Sequence, residues 1–147
     1  MAWAAADGEV DVSSAEAGLA VLLEVCERSL EELGAAVPPA QMRALLIIGG
    51  TGSLNLSRLA EALGASASAA SRLVDRMQAA GLLTRDRAAA SRREIVLVPT
   101  GSGRRLAEWV RGRRRAALGE VLQRMTPDGR EALARGLREL AAGPTGS

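Results

Sequence analysis

The sequence predicts a mainly α fold carrying one small β-hairpin, and three observations support that expectation. Apolar residues recur at three- and four-residue intervals in six separate stretches, the period that gathers them on one side of an α-helix. One short stretch, Glu94-Ile95-Val96-Leu97-Val98, is instead β-branched and extended in character. Capping and stopping residues stand at the borders of these stretches, so each element can be justified in turn.

The first helix is expected from Ser13 to Gly34, with Leu19, Leu22, Leu23, Cys26, Leu30 and Leu33 on one face and Glu24, Glu27, Arg28, Glu31 and Glu32 on the other. Pro38-Pro39 breaks the chain there, because proline lacks an N–H and its ring clashes with the preceding turn. Met42, Leu45, Leu46 and Ile48 then predict a helix of about ten residues, closed by Gly49-Gly50. Thr51 to Leu54 reads as a turn entering a brief extended segment. Asn55 caps a third helix with Leu59, Ala60 and Leu63 pointing inward, and Gly64 ends it; Ser66 caps a fourth that runs to Ala80 and stops at Gly81. A helix, a tight turn and another helix therefore occupy Asn55 to Gly81.

Leu82 to Arg85 and Glu94 to Val98 form the two strands of the hairpin, with Arg85, Arg87, Arg92 and Arg93 on or near its tip. Pro99 ends it and Thr100 caps a long Arg-rich helix whose apolar side carries Leu106, Trp109, Val110, Ala117, Val121 and Leu122, weakened at Gly112 and Gly119. Thr126-Pro127-Asp128 restarts the chain as a final helix with Leu133, Leu137 and Leu140 as its inner stripe. The expected organisation is one domain over 13–142, between a flexible acidic tail at 1–12 and a flexible tail at 143–147.

Composition narrows the function. No apolar run in the 147 residues approaches the roughly 20 that a membrane helix needs, so no membrane partner is expected. The acidic start of the chain lacks the features of a secretory signal. Cys26 is the single cysteine and there is no histidine. No intrachain disulfide and no Cys/His zinc site can be built, which points to the cytoplasm and to no metal or cofactor. Lacking a histidine base, and with no paired-carboxylate or glycine-loop signature, the chain does not read as an enzyme. The net charge of +2 conceals an asymmetry: residues 1–52 hold two Arg against eight acids, 53–100 seven against four, and 101–115 six against one. Every cation is Arg, which fits phosphate and guanine edges bidentately, although an Arg-only chain equally suits a GC-rich genome.

On a helical wheel of the fourth helix, Ala70, Leu73, Val74 and Met77 gather on one side. Ser68, Ser71, Arg72 and Asp75 lie opposite, with Arg76 flanking. Small residues near the N-terminus let a backbone approach a groove, hydroxyls and helix-end N–H groups hold phosphates, and an Arg reaches base edges. A basic hairpin follows at once, with Ala88, Ala89 and Ala90 too small to obstruct entry into a minor groove. A helix for one groove and a wing for the other make a DNA-binding device, a winged helix-turn-helix. Arg104, Arg105, Arg111 and Arg113-Arg114-Arg115 either add phosphate contacts or form a solvated, salt-bridged face.

The run Leu56-Ser57-Arg58-Leu59-Ala60-Glu61-Ala62-Leu63-Gly64 resembles the MarR family of bacterial regulators, as do Ser71-Arg72-Leu73-Val74-Asp75-Arg76-Met77 and Ala80-Gly81-Leu82-Leu83. Ser91-Arg92-Arg93, Val96-Leu97-Val98-Pro99-Thr100 and Gly103 continue the resemblance, which covers about Pro39 to Leu140. It implies a winged helix-turn-helix with a DNA-binding part at 39–100 and long N- and C-terminal helices, 13–36 and 101–142, that form a two-fold homodimer. It further implies a regulator, a repressor in this reading, of pseudo-palindromic double-stranded DNA, with a cleft for a small-molecule effector between the two parts. Carried over by position, Ser66, Ser68, Ser71, Arg72 and Arg76 match recognition-helix contacts and Arg93 the wing arginine, with Arg87 and Arg92 beside it on the basic hairpin. Ser91 stands where the family wing usually has Asp, and Pro99 where it usually has Leu. Met42, Leu46, Met77 and Trp109 are the candidates for lining the ligand cleft, although Met and Trp at helical spacing equally suit plain core. Cys26 lies on the apolar stripe, where a cysteine is usually an inert core residue. The rival reading is a winged-helix protein–protein interaction module without specific DNA binding, against which the basic wing argues.

Overall fold

The computed structural model describes residues 11–31, 33, 36–88 and 91–143, and the side chains of 91–93 lie outside that description. Among the described residues, six helices and one hairpin follow in the order α1 (Val12–Glu31), α2 (Pro39–Thr51), α3 (Leu56–Leu63), α4 (Ala67–Ala79), β1 (Leu83–Ala88), β2 (Ser91–Pro99), α5 (Gly101–Gln123) and α6 (Pro127–Ala142). No helix among the described residues is long and apolar enough to cross a membrane.

Two compact units divide the chain: 28–113, and 1–27 together with 114–147. In the first, α2 contributes Met42, Ala44, Leu45 and Ile48 to a core completed by Leu59 of α3, by Leu73, Val74 and Met77 of α4, and by Leu83 and Leu97 of the hairpin. Ala107 and Val110 of α5 enter the same core, while Leu30 and Leu33 pack against it. That is why the unit reaches to 28 and 113 rather than ending at the 39–100 span drawn from the sequence. In the second unit, α1, the end of α5 and α6 surround an apolar cavity of about 600 Å³, lined by Leu19, Leu22, Val121, Met125, Leu133 and Leu137 among others.

Caps place most helix ends where the sequence puts them. Asn55 Oδ1 accepts from the Arg58 N–H, Ser66 Oγ from that of Ala69, and Thr126 Oγ1 from that of Gly129. Gly64 and Gly81 take φ of +62° and +71°, a backbone state that a Cβ disfavours.

Three expectations require correction. Residue 11 is not tail: the Asp11 carboxylate accepts from the N–H groups of Ser13 and Ser14 and from the Ser14 hydroxyl, so it caps a helix that starts at Val12. Those bonds, the Ser14 hydroxyl foremost, hold its pKa below the ordinary carboxylate value. The first helix is described to Glu31 and Leu33 stands in a turn, while the expected end at Gly34 lies outside the described residues. The second does not stop at Gly49-Gly50 but continues to Thr51, because those glycines form a notch: a Cβ on Gly49 would lie 3.2 Å from the Arg111 guanidinium. Finally, Trp109 is 39% exposed beneath the Arg113 guanidinium, while Gly103, Ala107 and Val110 make the buried face of α5. The expected tails at residues 1–10 and 144–147 lie outside the described residues.

Candidate nucleic-acid interface

Helix α4 is seated by its apolar side, with Ala70, Val74 and Met77 fully buried and Leu73 nearly so. Burying a side chain of this kind contributes about 1.5–3 kcal/mol, so the helix cannot rotate about its axis without losing several such contacts. The opposite side is thereby committed to solvent, where Ser66, Ser68, Arg72, Asp75 and Arg76 are exposed and Ser71 is half-buried. At the N-terminus the Ser66 and Ser68 hydroxyls lie 3.2 Å apart. Ser66 Oγ already accepts the Ala69 N–H, and whichever of the two hydroxyls does not donate within the pair keeps its proton for an anion. First-turn N–H groups and hydroxyl donors at the positive end of a helix suit a phosphate. Arg76 and Arg43 of α2 border a cavity of about 280 Å³ floored by Ala65, Ala69, Leu63 and Leu73.

The hairpin begins immediately after Gly81. Thr100 holds its base closed: its Oγ1 donates to the Gly81 carbonyl at 2.6 Å, and its N–H donates to the Leu82 carbonyl at 3.1 Å. Leu54 adds a bridge to Leu97 through both backbone bonds, 3.1 and 2.8 Å. The paired strands reach Ala88 and Ser91, so both extend beyond the expected ends at Arg85 and Glu94. Register runs from Leu83 opposite Pro99 to Arg87 opposite Ile95 and then jumps to Ala88 opposite Ser91. Arg92, Arg93 and Glu94 therefore occupy a bulge in β2, a device that re-aims side chains and increases local twist.

Of the sequence-predicted contact residues, the structure brings Ser66, Ser68, Ser71, Arg72 and Arg76 together along α4 and places Arg87 exposed on β1. Arg92 and Arg93 take part in β2, their side chains lying outside the described residues. Arg85 is not at the tip: it pairs with Leu97 near the hairpin base and turns onto α4, where its Nη2 donates to Asp75 Oδ1 at 2.8 Å and its Nη1 to Gln78 Oε1. On the other side of the hairpin, Asn55 Nδ2 donates to Glu94 Oε1 at 2.9 Å. Neither tie was found by sequence reasoning; the one signal was a cap residue whose second amide group had no assigned partner.

The cations of α5 divide differently from either expectation. Arg104 donates to the Pro99 carbonyl at 2.9 Å and Arg111 to the Leu46 carbonyl at 2.9 Å, so both serve to hold the fold. The four residues suggested for a ligand cleft differ in their surroundings. Met42 and Met77 are fully buried in the core, Leu46 packs at its margin and Trp109 stands at the surface. The cysteine at 26 is half-buried.

A family model described as MarR family matches residues 37–94, from the start of α2 into β2. The HTH-type transcriptional regulator YfiV of Bacillus subtilis is 28% identical over 101 residues, which is 69% of this chain, and the chain spans 63% of that relative's length. Among solved structures, RV1404 from Mycobacterium tuberculosis is 29% identical with a TM-score of 0.79, covering 98% of this chain and 100% of that one. A MarR family protein from Bacillus stearothermophilus is 26% identical with a TM-score of 0.78, over 96% and 100%. FabT of Streptococcus pneumoniae, solved in complex with DNA, shares the fold at 16% identity and a TM-score of 0.71 over 90% and 96%. The chain is thus similar to the MarR family over residues 37–94, and its helices and two-stranded wing make the winged helix-turn-helix fold of the solved structures that it resembles.

Proposed function

We propose that this chain is a cytoplasmic DNA-binding transcriptional regulator, a homodimeric repressor that holds pseudo-palindromic duplex DNA with α4 in the major groove and the β1–β2 wing at the adjacent minor groove. The observation that carries this reading is the solvent face of α4, where two serine hydroxyls at a capped N-terminus precede Arg72 and Arg76. Hydroxyls and N-terminal amides set the helix on phosphates, and a long planar cation then reads a base edge. Arg72 is the base reader, Ser66, Ser68, Ser71 and Arg76 position the helix, and Arg87, Arg92 and Arg93 serve the wing. In support, a protein of this fold has been solved on DNA.

The dimer rests on the second compact unit. Leu19 and Leu23 of α1 are 54% and 53% exposed, and Leu140 of α6 is 77% exposed, an apolar surface that a second copy would cover. Two-fold pairing of this kind sets recognition helices about 34 Å apart, one turn of duplex. Relief of repression by a small molecule needs only a few kcal/mol of differential affinity for a form with another spacing.

Selection of bound fragments from random duplex DNA, followed by titration of the enriched site, tests the proposal. Arg72→Ala is expected to cost about 1–3 kcal/mol and to relax base preference at one position of each half-site. Enrichment of no sequence, or full affinity of Arg72→Ala, would refute it.

A further inference from the structure

A recognition face presented to phosphates has no use for a carboxylate, yet α4 carries one. Asp75 is the single acid of that helix, and it falls seven residues after Ser68, nearly in line with it on the same side and about 10 Å further along the axis. Left alone, it would oppose the phosphate backbone with a like charge, an arrangement that disfavours docking steeply once water is squeezed out.

The structure supplies a counter-charge from another element. Arg85 sits on β1 where the hairpin is most firmly anchored: its strand partner Leu97 is 1% exposed and is bonded to Leu54 as well. From there its fork spans one turn of α4, with Nη2 on Asp75 Oδ1 at 2.8 Å and Nη1 on Gln78 Oε1. A guanidinium holding two acceptors at once fixes both angle and distance, which a single-point cation does not. Arg87 lies two residues along β1, so it projects from the same face of the hairpin as Arg85. Whatever sets Arg85 on α4 therefore also sets Arg87 relative to α4.

We propose that Arg85 is a positioning residue for DNA recognition, masking Asp75 on the nucleic-acid face of α4 and locking the wing strand to that helix. The proposal rests on the DNA-binding reading above. Both partners are open to solvent, with side chains 36% and 60% exposed, and exposed ion pairs contribute little to folding. The role is thus one of recognition rather than stability, and the two can be told apart.

The test measures affinity of the full chain for the duplex it selects from random DNA, alongside thermal unfolding. Arg85→Ala is expected to weaken binding about tenfold while leaving the melting temperature nearly unchanged. Asp75→Asn should bind at least as tightly as the unaltered protein, since Gln78 still holds Arg85. Adding Asp75→Asn to Arg85→Ala should restore part of the lost affinity, the share owed to the uncovered carboxylate. Undiminished binding by Arg85→Ala, or a double variant no better than Arg85→Ala, would overturn the proposal, the latter because the loss would then owe nothing to an uncovered carboxylate. If Arg85→Ala fails to fold, Asp75→Asn alone decides: a loss as large as that of Arg72→Ala refutes the masking role. An unaltered protein that retains no duplex fails the DNA reading itself, and the proposal with it.

Discussion

Replacing Gly103 by alanine tests how the DNA-binding unit is closed. Gly103 lies in the first turn of α5, and a Cβ there would overlap the Leu82 carbonyl oxygen while standing 3.1 Å from the carbonyl carbon and 3.2 Å from Leu45 Cδ1. Relief cannot come from a flexible side chain, because the obstructing atom is backbone. That carbonyl also accepts the Thr100 N–H at 3.1 Å, so displacing it strains the cap of α5. Overpacking of this kind costs about 1–3 kcal/mol, against which alanine returns about 0.5–1 kcal/mol of helix propensity. The net loss is about 1–2 kcal/mol, and for a chain of this length it lowers the melting temperature by about 3–8 °C. Gly112, on the same helix, has nothing within 4 Å of a built Cβ. Gly112→Ala therefore isolates the propensity gain and is expected to raise the melting temperature by about 2–3 °C. Calorimetry of both variants at one protein concentration decides the matter. Equal stabilisation by the two would refute the close approach of α5 to Leu82.

Further outcomes follow from the same geometry. Asn55→Ala removes both the α3 cap and the tie to Glu94, and urea unfolding should show a loss of about 1 kcal/mol, with Glu94→Ala nearly neutral. Arg87→Ala is expected to reduce the slope of log K against log salt by about 1 while leaving base preference intact; titrations at several salt concentrations read this directly. Asp11 has a lowered pKa in the folded chain, so its cap contributes fully above the pKa of an unfolded aspartate and is lost as pH falls through the folded value. NMR titration of the Ser13 and Ser14 amides should report that low-pH release, and Asp11→Asn should abolish its pH dependence.

Much of this molecule was legible in one dimension, and the reasons are local. Asn55, Ser66 and Thr126 declare helix starts because an N-cap hydrogen bond spans only three residues. Gly64 and Gly81 declare ends because a positive φ disfavours a Cβ at the residue itself. The face of α4 was legible too, since one helical period sorts Leu73, Val74 and Met77 from Ser68 and Arg72. The order of elements and the residues of the candidate interface on α4 follow from such rules.

What tertiary structure alone decided are the roles set by a partner far along the chain. Gly49-Gly50 reads as a stop until Arg111, some sixty residues later, is seen to occupy the notch. Arg85 reads as a tip cation until strand register seats it opposite Leu97 and beside Asp75. Trp109 reads as core until the small residues Gly103 and Ala107 prove to be the side that meets the rest of the unit. In each case the side chain has two environments compatible with its local pattern. The choice between them is made by packing, a property of pairs of segments that no single segment encodes.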